Sequence, residues 1–172
     1  DPASVTLAWN GVSGADSYEI RYDTKGSIGW SYSRTTSATG ITISDLVPGT
    51  NYAFSICTVK SGFKSDWSST FYASTVALTV PGNFRATGTT MTSISLAWSS
   101  VNGAASYEIR YDKKGTVGWS YSKTVSGTST EITGLDPGCD YAFDIRSVRG
   151  SAASSRSSTI YATTNTLSAP RS

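Results

Sequence analysis

The chain has 172 residues, of which 38% are hydrophobic, 12% aromatic and only 15% charged, with a formal net charge of +2. This composition is too apolar for a disordered chain. The lysines and arginines are spread singly, which argues against a nucleic-acid partner. The apolar runs are short, so we expect no membrane span in this fragment. With no histidine and no CxxC pair, the sequence offers no ordinary zinc site, and we expect no metal and no cofactor.

The chain carries one pattern twice. YEIRYDTKGSIGWSYS begins at Tyr18, and YEIRYDKKGTVGWSYS begins at Tyr107, an offset of 89 residues. Other landmarks keep this offset without insertion or deletion: Trp9 with Trp98, Tyr52 with Tyr141, and Tyr72 with Tyr161. A period of this length is a small domain, larger than a solenoid repeat. We predict two domains, residues 1–79 and residues 80–172.

Alternating apolar residues predict β-strands in both copies. No stretch shows a sustained helical period, and Gly, Ser, Asn and Asp clusters separate the alternating runs. Several short strands in fewer than about ninety residues, each with one apolar face, predict a two-sheet sandwich. The core-facing residues predicted for the first copy are Tyr18, Ile20, Tyr22, Tyr52, Phe54 and Ile56.

The repeated stretch predicts a strand, a turn at residues 25–29 and a second strand. Trp30 and Tyr32 are two residues apart, so an extended chain places both on one face of that second strand. In one interpretation, Trp30 covers the rim of the core. In the other, Trp30 and Tyr32 form an exposed aromatic ledge beside Arg21, suited to a sugar ring or a protein contact. The second copy repeats this candidate site with Arg110, Trp119 and Tyr121.

A second candidate site occurs in the first copy alone. Phe63, Lys64 and Trp67 lie in one predicted loop, where apolar residues can contact a partner. The second copy has Arg156 at the position of Trp67, so this patch is not part of the shared design.

The two cysteines are not shared either. Cys57 lies opposite Arg146 in the repeat, and Cys139 lies opposite Thr50. Two free thiols are the simpler interpretation, and an inter-domain disulfide is the alternative.

Residues 46–52 and 135–141 each contain a leucine, a Pro-Gly turn and a tyrosine that opens a long alternating strand. This looks like the tyrosine corner of a sandwich domain. Together with Trp9, Trp98 and the YEIRY strands, it resembles the fibronectin type III family. The resemblance implies an all-β chain of two tandem immunoglobulin-like sandwiches.

The two copies differ where that family begins its first strand. Residues 80–87, VPGNFRAT, look like strand A of the second domain, and the first copy has no equivalent. We therefore expect the first domain to lack strand A, in a fragment of a longer protein. Residues 167–170 match residues 78–81, where a further strand A would begin.

The resemblance also bears on function. Without histidine, and with its carboxylates scattered, the chain is not expected to be an enzyme. Our leading hypothesis is a non-catalytic extracellular spacer or adhesion module, secreted or at a cell surface, that positions neighbouring domains and binds protein. The style of the sequence favours a bacterial protein. The alternatives are a carbohydrate-binding accessory module of a secreted glycosidase, using the aromatic ledge, and a module that binds a host protein such as an immunoglobulin through the Phe63–Trp67 loop.

Overall fold

The computed structural model describes residues 1–167, which form β-strands and turns without a helix. The segment predicted to begin a further strand, from residue 168 onward, lies outside the described residues. In chain order the strands are β1 (Val5–Ala8), β2 (Ser17–Thr24), β3 (Tyr32–Thr36), β4 (Gly40–Ile43), β5 (Asn51–Lys60), β6 (Phe63–Lys64), β7 (Phe71–Ser74), β8 (Arg85–Thr89), β9 (Ser93–Ala97), β10 (Ser106–Lys113), β11 (Tyr121–Val125), β12 (Ser129–Thr133), β13 (Asp140–Arg149), β14 (Ala152–Ala153) and β15 (Ile160–Thr163).

The chain divides into two compact units, Asp1–Ala77 and Leu78–Ser172, which we call unit 1 and unit 2. In unit 1, one sheet has the order β3-β2-β5-β6 with β7 also paired to β5, and the other pairs β1 with β4. In unit 2, one sheet has the order β11-β10-β13-β14 with β15 also paired to β13, and the other has the order β12-β9-β8. The predicted all-β fold with two sandwiches is confirmed.

Unit 1 lacks a counterpart of β8 in the described residues, as the sequence predicted. In unit 2, Phe84 lies just before β8 and packs edge-on against Trp98, with ring centroids 6.1 Å apart. Trp98 is therefore buried, whereas Trp9 at the matching place in unit 1 is half-buried. Trp9 keeps the edge contact that both copies share, with its ring centroid 5.3 Å from that of Tyr18.

Each unit has its own apolar core between its sheets. The period-2 alternation of β2 buries Tyr18, Ile20 and Tyr22. The same alternation in β10 buries Tyr107 and Ile109, whereas Tyr111 is half-buried. Phe54 and Phe143 are fully buried at the centres of the two cores. Burying a side chain of this size contributes about 1.5–3 kcal/mol, so the repeated aromatics are a large part of what stabilises each sandwich.

The tyrosine corner is formed in both units. The hydroxyl of Tyr52 accepts a hydrogen bond of 2.9 Å from the backbone N–H of Val47. The hydroxyl of Tyr141 accepts one of 2.9 Å from the N–H of Asp136. In unit 1 the turn between Val47 and Tyr52 needs a residue with a positive φ. Gly49 supplies it with a φ of 66°, a value that residues with a Cβ rarely adopt.

The join between the units is short. The hydroxyl of Thr75 donates to the carbonyl of Val47 at 2.6 Å, and the carbonyl of Val76 accepts from Gly49 at 3.1 Å, so both residues are held in unit 1. Leu78 is already buried in the core of unit 2. Ala77 is thus the one residue between the last hydrogen bond of unit 1 and the first buried side chain of unit 2.

Candidate binding surfaces

The outer face of the larger sheet in unit 1 carries an aromatic cluster around Arg21. The Cζ atom of Arg21 lies 4.6 Å from the ring centroid of Trp30 and 4.1 Å from that of Trp67. We call these three residues the Arg21 cluster. Contacts of this kind contribute about 0.5–2 kcal/mol each, depending on how far water is excluded. Trp67, a candidate contact residue from the sequence, is therefore half-buried against Arg21 rather than free.

The same face of unit 2 is ionic. Arg110 donates through Nε and Nη2 to the two carboxylate oxygens of Asp144, and Arg156 donates through Nη1 to the same carboxylate at 2.7 Å. We call this group the ionic ladder, and its five members are Glu108, Arg110, Asp144, Arg146 and Arg156. Arg110 still lies 4.9 Å from the ring centroid of Trp119, so only one of the two indole contacts is kept.

Glu108 closes the ionic ladder. It accepts hydrogen bonds from Arg146 and from Arg156. Burial alone would raise the pKa of Glu108, but the hydrogen bonds and charges of the two arginines outweigh burial and hold the pKa below its usual value. The side chain therefore stays ionised to lower pH than a free glutamate.

The predicted aromatic ledge is wrong as a single surface. Tyr32 is the cross-strand partner of Tyr22, and their rings stack with centroids 5.4 Å apart. Tyr22 faces the core, so Tyr32 lies on that side of the sheet, whereas Trp30 contacts Arg21 on the outer face. In unit 2, Tyr121 likewise stacks on Tyr111 at 5.3 Å. Trp119 contacts Arg110, so the two candidate aromatics of unit 2 are separated in the same way.

The cause is a side-chain hydrogen bond that keeps Trp30 out of the strand. The carboxylate of Asp23 accepts from the backbone N–H of Ser31 at 3.0 Å and from the N–H of Thr24 at 2.7 Å. This closes residues 24–31 into a loop, and β3 begins only at Tyr32. The period-2 rule applies to extended chain and so does not relate Trp30 to Tyr32. Hydrogen bonds from Ser31, Thr24 and Ser27 hold the pKa of Asp23 below its ordinary value.

The Phe63 loop is a tight hairpin. β5 and β6 pair through Lys60 and Phe63, and the two turn residues, Ser61 and Gly62, have φ values of 47° and 83°. Two positive φ values define the hairpin turn that best fits strand twist. Asp16 anchors the turn by accepting from the N–H of Ser61 at 2.7 Å. Phe63 is 80% exposed on this anchored hairpin.

Lys64, the third candidate in this loop, has a charged partner. Its Nζ lies 2.5 Å from a carboxylate oxygen of Glu19. The hydrogen bond to Glu19 raises the pKa of Lys64. Phe63 and Lys64 are both exposed, but Lys64 is paired with Glu19 and Trp67 is half-buried, so Phe63 is the exposed apolar member of the predicted patch.

Both cysteines are free thiols, in line with the simpler interpretation of the sequence. Burial, followed by the charge of Glu19, raises the pKa of the Cys57 thiol. A thiol of this kind is a poor nucleophile and a poor metal ligand. Within residues 1–167, no group of three or more His, Cys, Asp or Glu side chains is arranged to hold a metal ion.

A cleft that the sequence did not single out occurs in each unit. In unit 1 it lies between the 24–31 loop and strand β7, with Trp30, Thr70 and Tyr72 among its lining residues and a volume of about 300 Å³. In unit 2 the matching cleft includes Trp119, Thr159 and Tyr161 and has a volume of about 230 Å³. The available signal was the pair Tyr72 and Tyr161, shared landmarks of the repeat that are each 59% exposed.

No helix within residues 1–167 has the length and apolar character needed to cross a membrane.

Similar proteins share the fold over almost the whole chain. Tenascin-R of Gallus gallus is 33% identical over 159 residues, a match that covers 87% of this chain and 11% of that protein. Chitinase A1 of Niallia circulans is 31% identical over 161 residues, covering 83% of this chain and 21% of that protein. The chain thus spans only 11% to 21% of the length of these curated relatives.

A solved structure, a two fibronectin type-III domain segment from chicken tenascin, matches with a TM-score of 0.56 at 25% identity and covers 95% of each chain. The family model described as Fibronectin type III domain matches residues 1–74 and again residues 79–163. These two matches fall on the two sandwiches and on their tyrosine corners. The chain therefore belongs to the fibronectin type III family, with two copies of its domain in tandem.

Proposed function

We propose that this chain is a non-catalytic, extracellular spacer and adhesion segment that sets the distance between its neighbours and binds a protein partner through unit 1. The observation that carries the proposal is the join. Val76 is hydrogen-bonded within unit 1 and Leu78 is buried in unit 2, so only Ala77 is left to act as a hinge. A linker this short restricts the motion of the modules it connects, as a spacer requires.

The charges of the molecule support a non-catalytic role. A general acid at neutral pH needs a carboxyl pKa raised towards 7. Within residues 1–167, the carboxyl groups with a shifted pKa are instead all shifted downward, and they are Asp16, Asp23, Glu108, Asp112 and Asp140. These carboxylates serve as hydrogen-bond acceptors that fix loops and strands.

The relatives support placement outside the cell. The chain resembles Tenascin-R and a human receptor-type tyrosine-protein phosphatase H, to which it is 30% identical over 152 residues. The low charge and the Ser and Thr content of the chain are compatible with this location.

The hairpin of β5 and β6 is the proposed protein contact. Phe63 is a large apolar side chain, 80% exposed, on a turn that Asp16 anchors. Aromatic anchors on a pre-organised surface are typical centres of protein interfaces. Unit 2 has Ala152 at the matching place, so the contact belongs to unit 1. A sugar-binding ledge formed by Trp30 with Tyr32 is not proposed, because the two rings lie on opposite faces of the sheet.

The spacer role is tested by measuring distances between the units. Spin labels are attached at Ser37→Cys and Ser126→Cys, two exposed matching positions, in a Cys57→Ser, Cys139→Ser background. Pulsed electron resonance is expected to give a narrow distance distribution. Insertion of Gly-Ser-Gly-Ser after Ala77 is the control and is expected to broaden it. A distribution in the uninserted chain as broad as in the control would contradict the spacer role.

The adhesion role is tested by capture from serum or mucosal fluid on the immobilised full chain, with mass spectrometry of the retained protein. We expect Phe63→Ala to reduce capture of that protein by about tenfold or more. The matched control is Ala152→Phe, which places the same side chain on unit 2. Undiminished capture by Phe63→Ala would remove the hairpin from the proposal.

A further inference from the structure

We propose that each unit carries one binding cleft for a neutral pyranose ring of a polysaccharide, so that the chain holds two equivalent sugar subsites. This goes beyond the spacer and adhesion role and does not depend on it. The cleft of unit 1 lies between the 24–31 loop and β7, and that of unit 2 between the 113–120 loop and β15. We call them cleft 1 and cleft 2.

The two clefts are built from the same nine positions of the repeat. The residues lining cleft 1 are Asp23, Thr24, Gly26, Ser27, Gly29, Trp30, Ala53, Thr70 and Tyr72. Those lining cleft 2 are Asp112, Lys113, Gly115, Thr116, Gly118, Trp119, Ala142, Thr159 and Tyr161. Seven of these pairs are identical, and the pair Ser27 and Thr116 keeps a hydroxyl. Only Thr24, which is replaced by Lys113, changes in kind.

The surface beside the clefts is kept only in part, with Arg21 repeated as Arg110. On the outer face of the same sheet, Ser55, Cys57 and Trp67 are replaced by Asp144, Arg146 and Arg156. The exposed Phe63 becomes Ala152. Tyr72 and Tyr161 are each 59% exposed, so they add little to the core and their retention is not explained by packing. Seven of the nine cleft positions are thus identical in the two copies, while several neighbouring positions on the same face differ.

The side chains of the cleft suit a sugar ring. Trp30 and Tyr72 supply flat aromatic surface for the C–H face of a pyranose, and Thr70 supplies a hydroxyl group for its hydroxyls. The ammonium of Lys25 lies over the ring of Tyr72, with its Nζ 5.0 Å from the ring centroid. Lys114 has the same place over Tyr161, at 5.3 Å.

The size and charge of the cleft narrow the ligand. A volume of about 300 Å³ lies at the lower end of the range for small-ligand pockets and one of about 230 Å³ lies below it, so each cleft has room for one ring at most. The carboxylate of Asp23 is already occupied by the N–H groups of Thr24 and Ser31 and by the hydroxyl of Ser27. It shapes the loop and leaves a negative charge in the wall, which disfavours an acidic sugar. In cleft 2 the cation of Lys113 is paired with the carboxylate of Asp136, 2.5 Å away, and so is not free to bind an acidic sugar. A neutral ring is the ligand that fits.

The experiment uses the full chain labelled with ¹⁵N and titrated with cellohexaose, with the hexamer of N-acetylglucosamine, and with an acidic galacturonate hexamer. Addition of at least one neutral hexamer is expected to shift the amide signals of Gly29 and Tyr72, and those of Gly118 and Tyr161. Tyr72→Ala is expected to weaken binding at cleft 1 by about tenfold or more while cleft 2 is unchanged, and Tyr161→Ala to do the reverse.

Tyr32→Ala and Tyr121→Ala are the matched controls. These tyrosines are 56% and 58% exposed, close to the tyrosines of the clefts, but lie on the other side of the sheet. The controls are expected to leave both titrations unchanged. The proposal is overturned if neither neutral hexamer shifts the cleft amides at millimolar concentration, or if the acidic hexamer binds more tightly than the neutral ones. It is also overturned if the control variants lose as much affinity as Tyr72→Ala. A finding that the cleft tyrosines are necessary only for capture of a protein would overturn it as well.

Discussion

Unit 1 and unit 2 have an arginine at matching positions of equivalent strands, Arg21 on β2 and Arg110 on β10. The side chains that surround this arginine differ between the units. In unit 1 two indole rings lie over the guanidinium. In unit 2 one of these rings is replaced by Arg156, and a buried carboxylate, Asp144, bonds to both arginines. The backbone and the strand register are the same in both.

The two arrangements indicate that the side chains on this face depend on one another. A carboxylate as buried as Asp144 is stable only when its lone pairs are satisfied, and two arginines do this. Conversely, Arg156 beside Arg110 needs the acids between them. In unit 1 the positions of Asp144 and Arg146 hold Ser55 and Cys57, which are small and buried. A single exchange between the units should therefore harm the unit that receives it.

The largest effect is expected from Asp144→Ala. The change leaves Arg110 and Arg156 without the carboxylate that separates their charges. We expect the free energy of unfolding of unit 2 to fall by about 2–4 kcal/mol, measured by hydrogen exchange of its core amides in urea. The matched control is Ser55→Ala in unit 1, where only the hydrogen bond to the carbonyl of Ser68 is lost, at a cost of about 1 kcal/mol. Equal losses in the two units would contradict the ionic ladder.

Trp67→Arg transfers one residue of unit 2 into unit 1. The new guanidinium lies beside Arg21, and the nearby acid, Glu19, is already paired with Lys64. We expect unit 1 to lose about 1–3 kcal/mol of unfolding free energy in urea. Addition of Ser55→Asp supplies the missing carboxylate and should recover about half of the loss or more. A double variant no more stable than Trp67→Arg alone would show that the two positions are not coupled.

Acid should weaken unit 2 before unit 1. Because the pKa of Glu108 is lowered in the folded state, its contribution is complete above the ordinary glutamate pKa and is lost as pH falls through the lowered value. The carboxyl groups of Asp23 and Asp112 have lowered pKa values in both loops and cancel in the comparison.

The measurement is amide exchange in each unit from neutral pH to about pH 3, below the ordinary carboxyl pKa. Asp16 and Asp140 add one further lowered carboxyl pKa to each unit and do not bias the result. The control is Glu108→Gln, which should lower the stability of unit 2 at neutral pH and reduce its dependence on acid. Loss of amide protection in unit 1 at a higher pH than in unit 2 would contradict the prediction.

The smallest effect is expected from Lys64→Ala. The ion pair with Glu19 is exposed on the lysine side, and pairs of this kind contribute about 0–1 kcal/mol. Unit 2 has Ala153 at this place and tolerates it. The midpoint of thermal unfolding of unit 1 should therefore change little, and less still at high salt. A loss as large as that of Trp67→Arg would mean that Lys64 has a further role in unit 1.

The fold could be predicted from the sequence because the strands are regular. Tyr18, Ile20 and Tyr22 obey the period of two, and the Pro-Gly turn with Tyr52 specifies the corner. The surface could not be predicted in the same way. Trp30 stands two residues before Tyr32, but the bond from Ser31 to the side chain of Asp23 interrupts the strand there. A side-chain hydrogen bond of this type leaves no trace in hydrophobic periodicity.

The exchange of Trp67 for Arg156 is a second feature whose consequence could not be predicted from the sequence. From the sequence it is a loss of an aromatic residue. Nothing in the sequence indicates that Trp67 contacts Arg21, or that Arg156 shares the carboxylate of Asp144 with Arg110. That relation depends on contacts across strands, between β2 and the segment before β7, and between β10 and the segment before β15. Tyr72 was visible as a landmark of the repeat, but its place opposite the 24–31 loop depends on the pairing of β7 with β5.

The single free residue at Ala77 has a mechanical consequence. A chain pulled from its ends normally first straightens its tethers, which absorb extension at low force. Here Val76 is hydrogen-bonded within unit 1 and Leu78 is buried in unit 2, so there is no flexible tether to straighten. A pulling force would therefore act on the strands of both sandwiches at once. The force needed to lengthen such a segment is then set by the hydrogen bonds between strands and by core packing. Its end-to-end length stays nearly constant until one unit unfolds.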